Sequence, residues 1–318
     1  MTATEPCQAI ATLTLNPAVD IAYEVPHLIP DQKSHALATR YDPGGNGVNV
    51  ARALKELLVC AHSCCIVAGN IGELLQKLLQ HQLDSPHCVH VEGETRINAT
   101  ILQGDPPAQF EVTGIGPLVS ELALSAVKTS FLELCKGGFA VLTGSVPPGV
   151  PDLIYGDLVD KVQGDGGKAV VDAHGALLQL ALPHQPYLIK PNRYELSVLR
   201  QRELPTLEDV AREARAIQRE GVQYVCVSLG VEGALLVGPD GSYLAEAPNI
   251  AVKSTVGAGD SMVAGLVAAL ARRQSPAEAL RLAVACGSGT AARPGTEIFS
   301  HSQVVELLQQ VNVKMLDI

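Results

Sequence analysis

The stretch Ser254-Thr-Val-Gly257-Ala-Gly259-Asp260-Ser261-Met262 leads without a break into an apolar run over 262–271. Two glycines let the backbone turn tightly and bring several N–H groups toward one point. The long helix predicted to follow adds unpaired N–H donors and the positive end of its dipole, which suits an anion such as a transferring phosphate. Asp260 stands at that turn, where its carboxylate can accept a proton from a substrate hydroxyl. The same residues also fit a plainer description, a capping carboxylate behind a glycine turn. The unbroken apolar helix, with no other use for two glycines, tilts the reading toward an anion site.

Working outward, Asp42-Pro-Gly44-Gly45-Asn46-Gly47-Val-Asn49-Val-Ala-Arg52 is a second run of glycines opening a helix. It permits close approach of a ligand, and Asn49 offers both a donor and an acceptor to hydroxyls. It is neither a P-loop nor a full dinucleotide fingerprint, and alone it is as well explained by a tight turn. Lys190-Pro-Asn192-Arg-Tyr-Glu195 ends a predicted strand and starts a helix. Asn192 and Glu195, three apart on one helical face, either close a capping box or hold a magnesium-bound water beside phosphates. Asp20, just after Thr14-Leu-Asn16-Pro-Ala18, is either a grip for sugar hydroxyls or a solvated loop acid. Lys33, Arg96 and Ser145 are scattered, and nothing local gives them a role.

Between these points the chain alternates. Strand-like runs at 9–15, 65–68, 140–142, 169–171, 187–189 and 224–227 are separated by helical patterns, among them 49–58, 118–134, 152–162 and 207–219. Such spacing predicts an α/β fold, a mostly parallel sheet flanked by helices on both faces, with sites at the carboxyl ends of its strands. Segments 18–42 and 95–113 break the rhythm with strand-like runs at 18–25, 35–41, 96–102 and 109–113, predicting a small β-sheet lid. The last third turns helical, over 257–271, 276–292 and 302–311. No repeat, low-complexity tract or linker divides the chain, so residues 1–318 are expected to form a single domain carrying that lid.

Composition narrows the function classes. The 318 residues are 47% hydrophobic and 18% charged, which excludes wholesale disorder. A net charge of −10 with 3% aromatics disfavours nucleic-acid binding, though a few local cations still permit an anionic substrate. The longest apolar run is about half the ~20 residues a membrane span needs, and residues 1–8 lack a secretory leader's pattern; the chain reads as cytoplasmic, without a membrane partner. Eight cysteines form no CxxC pair and are expected to be free thiols. Cys60, His62, Cys64 and Cys65 invite a zinc reading, but neighbours on a strand point to opposite faces.

Together the segments TLTLNPAVD, PGGNGVNVARAL, KPNRYEL, VSLGVEGAL and STVGAGDSMVAG resemble, in order, the ribokinase-like (PfkB) sugar kinases. More narrowly they resemble the phosphofructokinase and tagatose-phosphate kinase branch, over about residues 9–310. The resemblance implies a ribokinase-like fold, ATP as phosphoryl donor with Mg²⁺, in some members a monovalent cation such as K⁺, and a ketohexose phosphate as acceptor. It also implies a homodimer joined through the lid. Asp260 then matches the family's base, and Gly257, Ala258 and Gly259 its anion hole. Asn192 and Glu195 match the magnesium element, with Glu195 acting through water, while Lys190, Asn192, Ser228 and Gly230 match nucleotide contacts. Asp20, Gly45 and Asn49 match the grip on sugar hydroxyls, and Lys33, Arg96 and Ser145 match positions holding the sugar's phosphate. PGG, SVPPGV and the 295–301 tail look most like 6-phosphofructokinases, whereas GETRIN around Arg96 resembles 1-phosphofructokinases. Two positions depart from the 6-phosphofructokinase pattern: His35 stands in place of an arginine, and Asn46 in place of a glycine or lysine.

Overall fold

Strands and helices follow one another as the hydrophobic pattern requires. The computed structural model describes residues 8–316; Cys7 and the leader-free reading of residues 1–7 lie outside them. From the N-terminus come β1 (Ile10–Thr14), β2 (Ala18–Val25), β3 (Ala38–Gly44), α1 (Asn46–Glu56), β4 (His62–Ala68), α2 (Gly69–Gln82), β5 (Pro86–Val91), β6 (Arg96–Gln103) and β7 (Ala108–Val112). There follow α3 (Glu121–Leu134), β8 (Phe139–Thr143), α4 (Ile154–Gly164), β9 (Lys168–Asp172), α5 (Gly175–Ala181), β10 (Leu188–Ile189), α6 (Arg193–Arg200), α7 (Leu207–Arg219) and β11 (Tyr224–Ser228). The last elements are β12 (Ala234–Gly238), β13 (Gly241–Ala245), α8 (Ala258–Ala271), α9 (Pro276–Ala291), α10 (His301–Leu308) and β14 (Val313–Leu316).

Ten strands make one sheet in the order β14-β13-β12-β11-β10-β9-β8-β1-β4-β5. Neighbours from β5 to β11 are parallel, and β12, β13 and β14 extend the sheet antiparallel. β1 and β8 are buried along their whole length, the mark of strands covered on both faces. Their side chains alternate between two cores. Leu13 and Leu142 join Phe131, Leu158 and Ile217 from α3, α4 and α7. Ile10 and Val141 instead join Leu54, Val263 and Ala283 from α1, α8 and α9. Cys64 belongs to the first core and Cys65 to a third one with Leu75 and Leu79 of α2, so the two thiols cannot share an ion. No helix among the described residues is long and apolar enough to cross a membrane.

The lid is a separate four-stranded sheet in the order β3-β2-β6-β7. Its register sets Asp20 opposite both Asp42 and Asn98, so these three share one face. The other face carries Val19, Ile21, Tyr41, Ile97, Phe110 and Val112. Val19 and Ile21 pack on the α2 core. Farther out the apolar face is open, with Phe110 46% and Val112 63% exposed.

Several expected boundaries move. The second lid strand runs over Ala38–Gly44 rather than 35–41, so Lys33 and His35 fall in the irregular segment 26–37. Helix α1 begins at Asn46, not Asn49, and α3 begins at Glu121 because Ser120 caps it, its hydroxyl accepting from Ala123 N–H. The alternation missed β5, α2, α5 and the antiparallel strands β12, β13 and β14, whose short apolar runs carry no period that separates strand from buried helix.

Candidate active site

Gly257 caps α8 in the left-handed conformation, φ 74°, which only glycine adopts without strain. Twelve of the helix's fourteen residues are buried, Asp260 among them at 4% exposure. A helix apolar all round belongs inside the molecule, and here it presents its N-terminus to a cleft. Ala258 spends its N–H on Thr255 O at 3.3 Å, whereas among the described residues no carbonyl accepts from Gly257 or Gly259. Of the three expected anion-hole positions, the two glycines therefore retain free donors.

Both oxygens of Asp260 accept amide hydrogens from α1: Asn46 Nδ2 reaches Oδ1 and Asn49 Nδ2 reaches Oδ2, each at 2.9 Å. Burial, reinforced by Asp172, outweighs these donors and Lys190 and raises Asp260 to about 6. That places a buried carboxylate near neutrality, where a general base works best. Asn49 is held in turn by the buried Arg52, whose Nη1 donates to Asn49 Oδ1 at 3.3 Å and faces Thr296 O at 3.5 Å.

Across the glycines lies Lys190: a Cβ at Gly259 would sit 3.3 Å from its Nζ. The buried ammonium pairs with Asp172 Oδ1 at 3.2 Å. Burial alone would lower its pKa, but Asp172 and Glu195 outweigh burial and raise it, so Lys190 stays charged. Asn192 and Glu195 do form a capping box on α6: Glu195 N donates to Asn192 Oδ1 and Asn192 N donates to Glu195 Oε2, both at 2.8 Å. The two residues also line the cleft. Its volume is about 810 Å³, and its wall includes Asp172, Lys190, Ser228, Gly230 and Asp260, with Ile250, Val252 and Val284 among its apolar lining.

On the lid side, Asp20 Oδ1 accepts from Asn98 Nδ2 at 2.8 Å, and burial raises its carboxyl despite Asn98 and Arg96. Gly44 is the one residue that fits beside it, since a Cβ there would meet the Asp20 carboxyl group at 2.3 Å. Arg96 donates from Nε and Nη2 to Asn16 O at 3.1 and 2.7 Å, and Asn16 Nδ2 donates to Ser145 Oγ at 3.1 Å. Arg96 and Ser145, 49 positions apart, are thus joined through one residue of the first loop. Lys33 makes no hydrogen bond or ion pair to either among the described residues and is exposed in segment 26–37. Gly45 is the N-cap of α1, and a Cβ there would meet Thr14 and Pro17.

Five residues of this constellation escaped the motif reading: Asn16, Asn46, Arg52, Asn98 and Asp172. Asp172 had a signal, an acid ending the apolar run of β9 where parallel sheets place their sites. Arg52 is one helical turn beyond Asn49. Asn98 becomes visible only through the register of β2 against β6.

A family model described as "pfkB family carbohydrate kinase" matches residues 13–303. A 1-phosphofructokinase of Bacillus subtilis is 33% identical over 310 residues, 96% of this chain and 100% of the relative. The ATP-dependent 6-phosphofructokinase isozyme 2 of Escherichia coli is 35% identical over 300 residues, 94% and 97% of the two chains. The crystal structure of Escherichia coli phosphofructokinase-2 in complex with potassium superposes with a TM-score of 0.91 at 34% identity, covering 95% of this chain and 98% of that one.

Proposed function

Because the chain belongs to the pfkB family of carbohydrate kinases, we propose that it carries the γ-phosphoryl group of ATP to fructose 6-phosphate, giving fructose 1,6-bisphosphate. The observation that carries this reading is Asp260: a buried carboxylate raised to about 6, beside free glycine N–H groups at a helix N-terminus and a charged lysine. Asp260 takes the proton of the acceptor hydroxyl, while the α8 N-terminus and Lys190 hold the phosphoryl group and the charge it gathers. The apolar lining from Ile250, Val252 and Val284 suits a purine ring, and Ser228, Gly230 and Asn192 line the same cleft. Asp172, raised by burial and by Glu195, lines the cleft with Asn192 and Glu195, a donor set that fits a hydrated Mg²⁺ held through water. Bound there, Mg²⁺ supplies charge neutralisation for the phosphates. Potassium in the related crystal structure supports the same monovalent cation as part of this reading.

Asp20, Asn98 and Asn49 form the grip for sugar hydroxyls, and Arg96 with Ser145 the grip for the phosphate already on the sugar. A second reading, fructose 1-phosphate as acceptor, is favoured by the segment around Arg96 and by the Bacillus relative. A coupled ADP-release assay with fructose 6-phosphate, fructose 1-phosphate and tagatose 6-phosphate separates them. Fructose 6-phosphate is expected to give the highest kcat/KM; a tenfold preference for either other sugar overturns that assignment.

The open apolar face of the lid supports a homodimer, in which two such faces cover one another. Light scattering at micromolar concentration is expected to give twice the chain mass, and Phe110→Lys to shift it to the monomer. A wild-type monomer would remove the lid as an interface.

A further inference from the structure

Resting on the kinase reading of the cleft, we infer that Asn46 is a positioning residue for Asp260: its amide pins one carboxylate oxygen while Asn49 pins the other. Asn46 is the first residue of α1, and its Nδ2 donates to Asp260 Oδ1 at 2.9 Å across 214 positions of sequence. Asn49 follows one turn later on the same helical face and donates to Oδ2 at the same distance. The pair works as a clamp. Two donors from one rigid helix, aimed at opposite oxygens, fix the plane of the carboxylate. A carboxylate has about four acceptor positions, so a lone pair stays free on each oxygen for a substrate hydroxyl.

The rest of the surroundings do not replace Asn46. Asp172, at the end of β9, faces Asp260 and favours its protonated form; Lys190, after β10, opposes that. Arg52 on α1 adds a weaker attraction and spends Nη1 on Asn49 Oδ1 and Thr296 O. Asn46 is exposed where it lines the cleft, and its oxygen lies near Gly144, where an added Cβ would come within 2.9 Å of it. With Asn46 truncated, Oδ1 would lose its fixed amide donor and the acid would hold its proton to higher pH.

The test compares Asn46→Ala with Asn46→Asp, the second almost equal in size to asparagine but with a like charge where the N–H was. Asn46→Ala is expected to move the acid limb of kcat/KM upward by about one pH unit, the equivalent of one hydrogen bond to a charged group. Its deficit relative to wild type should then grow about fivefold between pH 8 and pH 6, with KM for ATP nearly unchanged. Asn46→Asp should be worse than alanine, because two carboxylates sharing a site raise one another. A deficit that is the same at both pH values, or an aspartate that restores wild-type rates, would overturn the inference. Carbon-detected NMR titration of the Asp260 carboxyl in acceptor-free wild-type and Asn46→Ala protein reads the same shift without any acceptor. An unmoved titration defeats the role of Asn46 alone. Wild-type protein that phosphorylates no ketohexose phosphate defeats the kinase reading and leaves the titration to judge Asn46.

Discussion

Asp260→Asn is expected to lower kcat by about 10²–10⁴-fold, the usual contribution of a positioned general base. An amide keeps the shape of the carboxylate but cannot take the hydroxyl proton, so affinity for ATP should stay within several-fold of wild type. The pH profile supplies a second readout. Burial raises Asp260 to about 6, so the deprotonated, active form is populated above that pH and lost below it. Wild-type kcat/KM should therefore rise through about pH 6 and level off, and the asparagine variant should lack that limb. Steady-state kinetics from pH 5 to 8 checks both. A variant retaining a third of wild-type kcat would reduce Asp260 to a buried cap of α8.

Arg96→Ala is expected to raise KM for the sugar phosphate roughly 10- to 150-fold, the range of a lost charge-assisted contact, and to change KM for ATP little. The structure enlarges the expectation. Arg96 already donates twice to Asn16 O, and Asn16 holds Ser145, so truncation also loosens the loop that presents the serine. Arg96→Lys should recover only part of the loss, because an ammonium cannot reproduce the guanidinium fork on Asn16 O. Binding energy from a non-reacting phosphate also orients the hydroxyl, so kcat is expected to fall with it. Kinetics with each substrate varied in turn decides. An unchanged sugar-phosphate KM and kcat would take Arg96 out of the site and leave the phosphorylated acceptor without its principal cation.

How far the chain could be read in advance depended on the range of the interactions concerned. The stretch around Asp260 is local: a glycine turn, a first-turn acid and an apolar helix are all visible within about fifteen residues, and they stand in the structure as read. Lid strands β2 and β6 were equally plain, because alternation has a period of two. Asn192 with Glu195 was ambiguous between cap and site, and the ambiguity was real, since the capping box is present and both residues also line the cleft. What stayed hidden was contact across the sheet. Asn46 meets Asp260 over 214 positions and Asn16 meets Ser145 over 129, and neither pairing leaves a mark in either segment alone. Lys33 is a different case: it lies exposed in an irregular loop rather than on a strand, so neither pattern nor register fixes where its side chain reaches.

The junction between β3 and α1 has a consequence for protein engineering. The lid strand ends at Gly44 and the helix that clamps Asp260 begins at Asn46, so a single residue, Gly45 at φ 114°, links the two. A lid taken from another sugar kinase to change the acceptor cannot be spliced at that joint without shifting the register of Asn46 and Asn49 against Asp260. The cuts belong instead in the irregular segment 26–37 and the turn between β6 and β7, which carry no hydrogen bond to the Asp260 clamp. Exchanges confined to those two segments would alter the outer lid while leaving α1 in place.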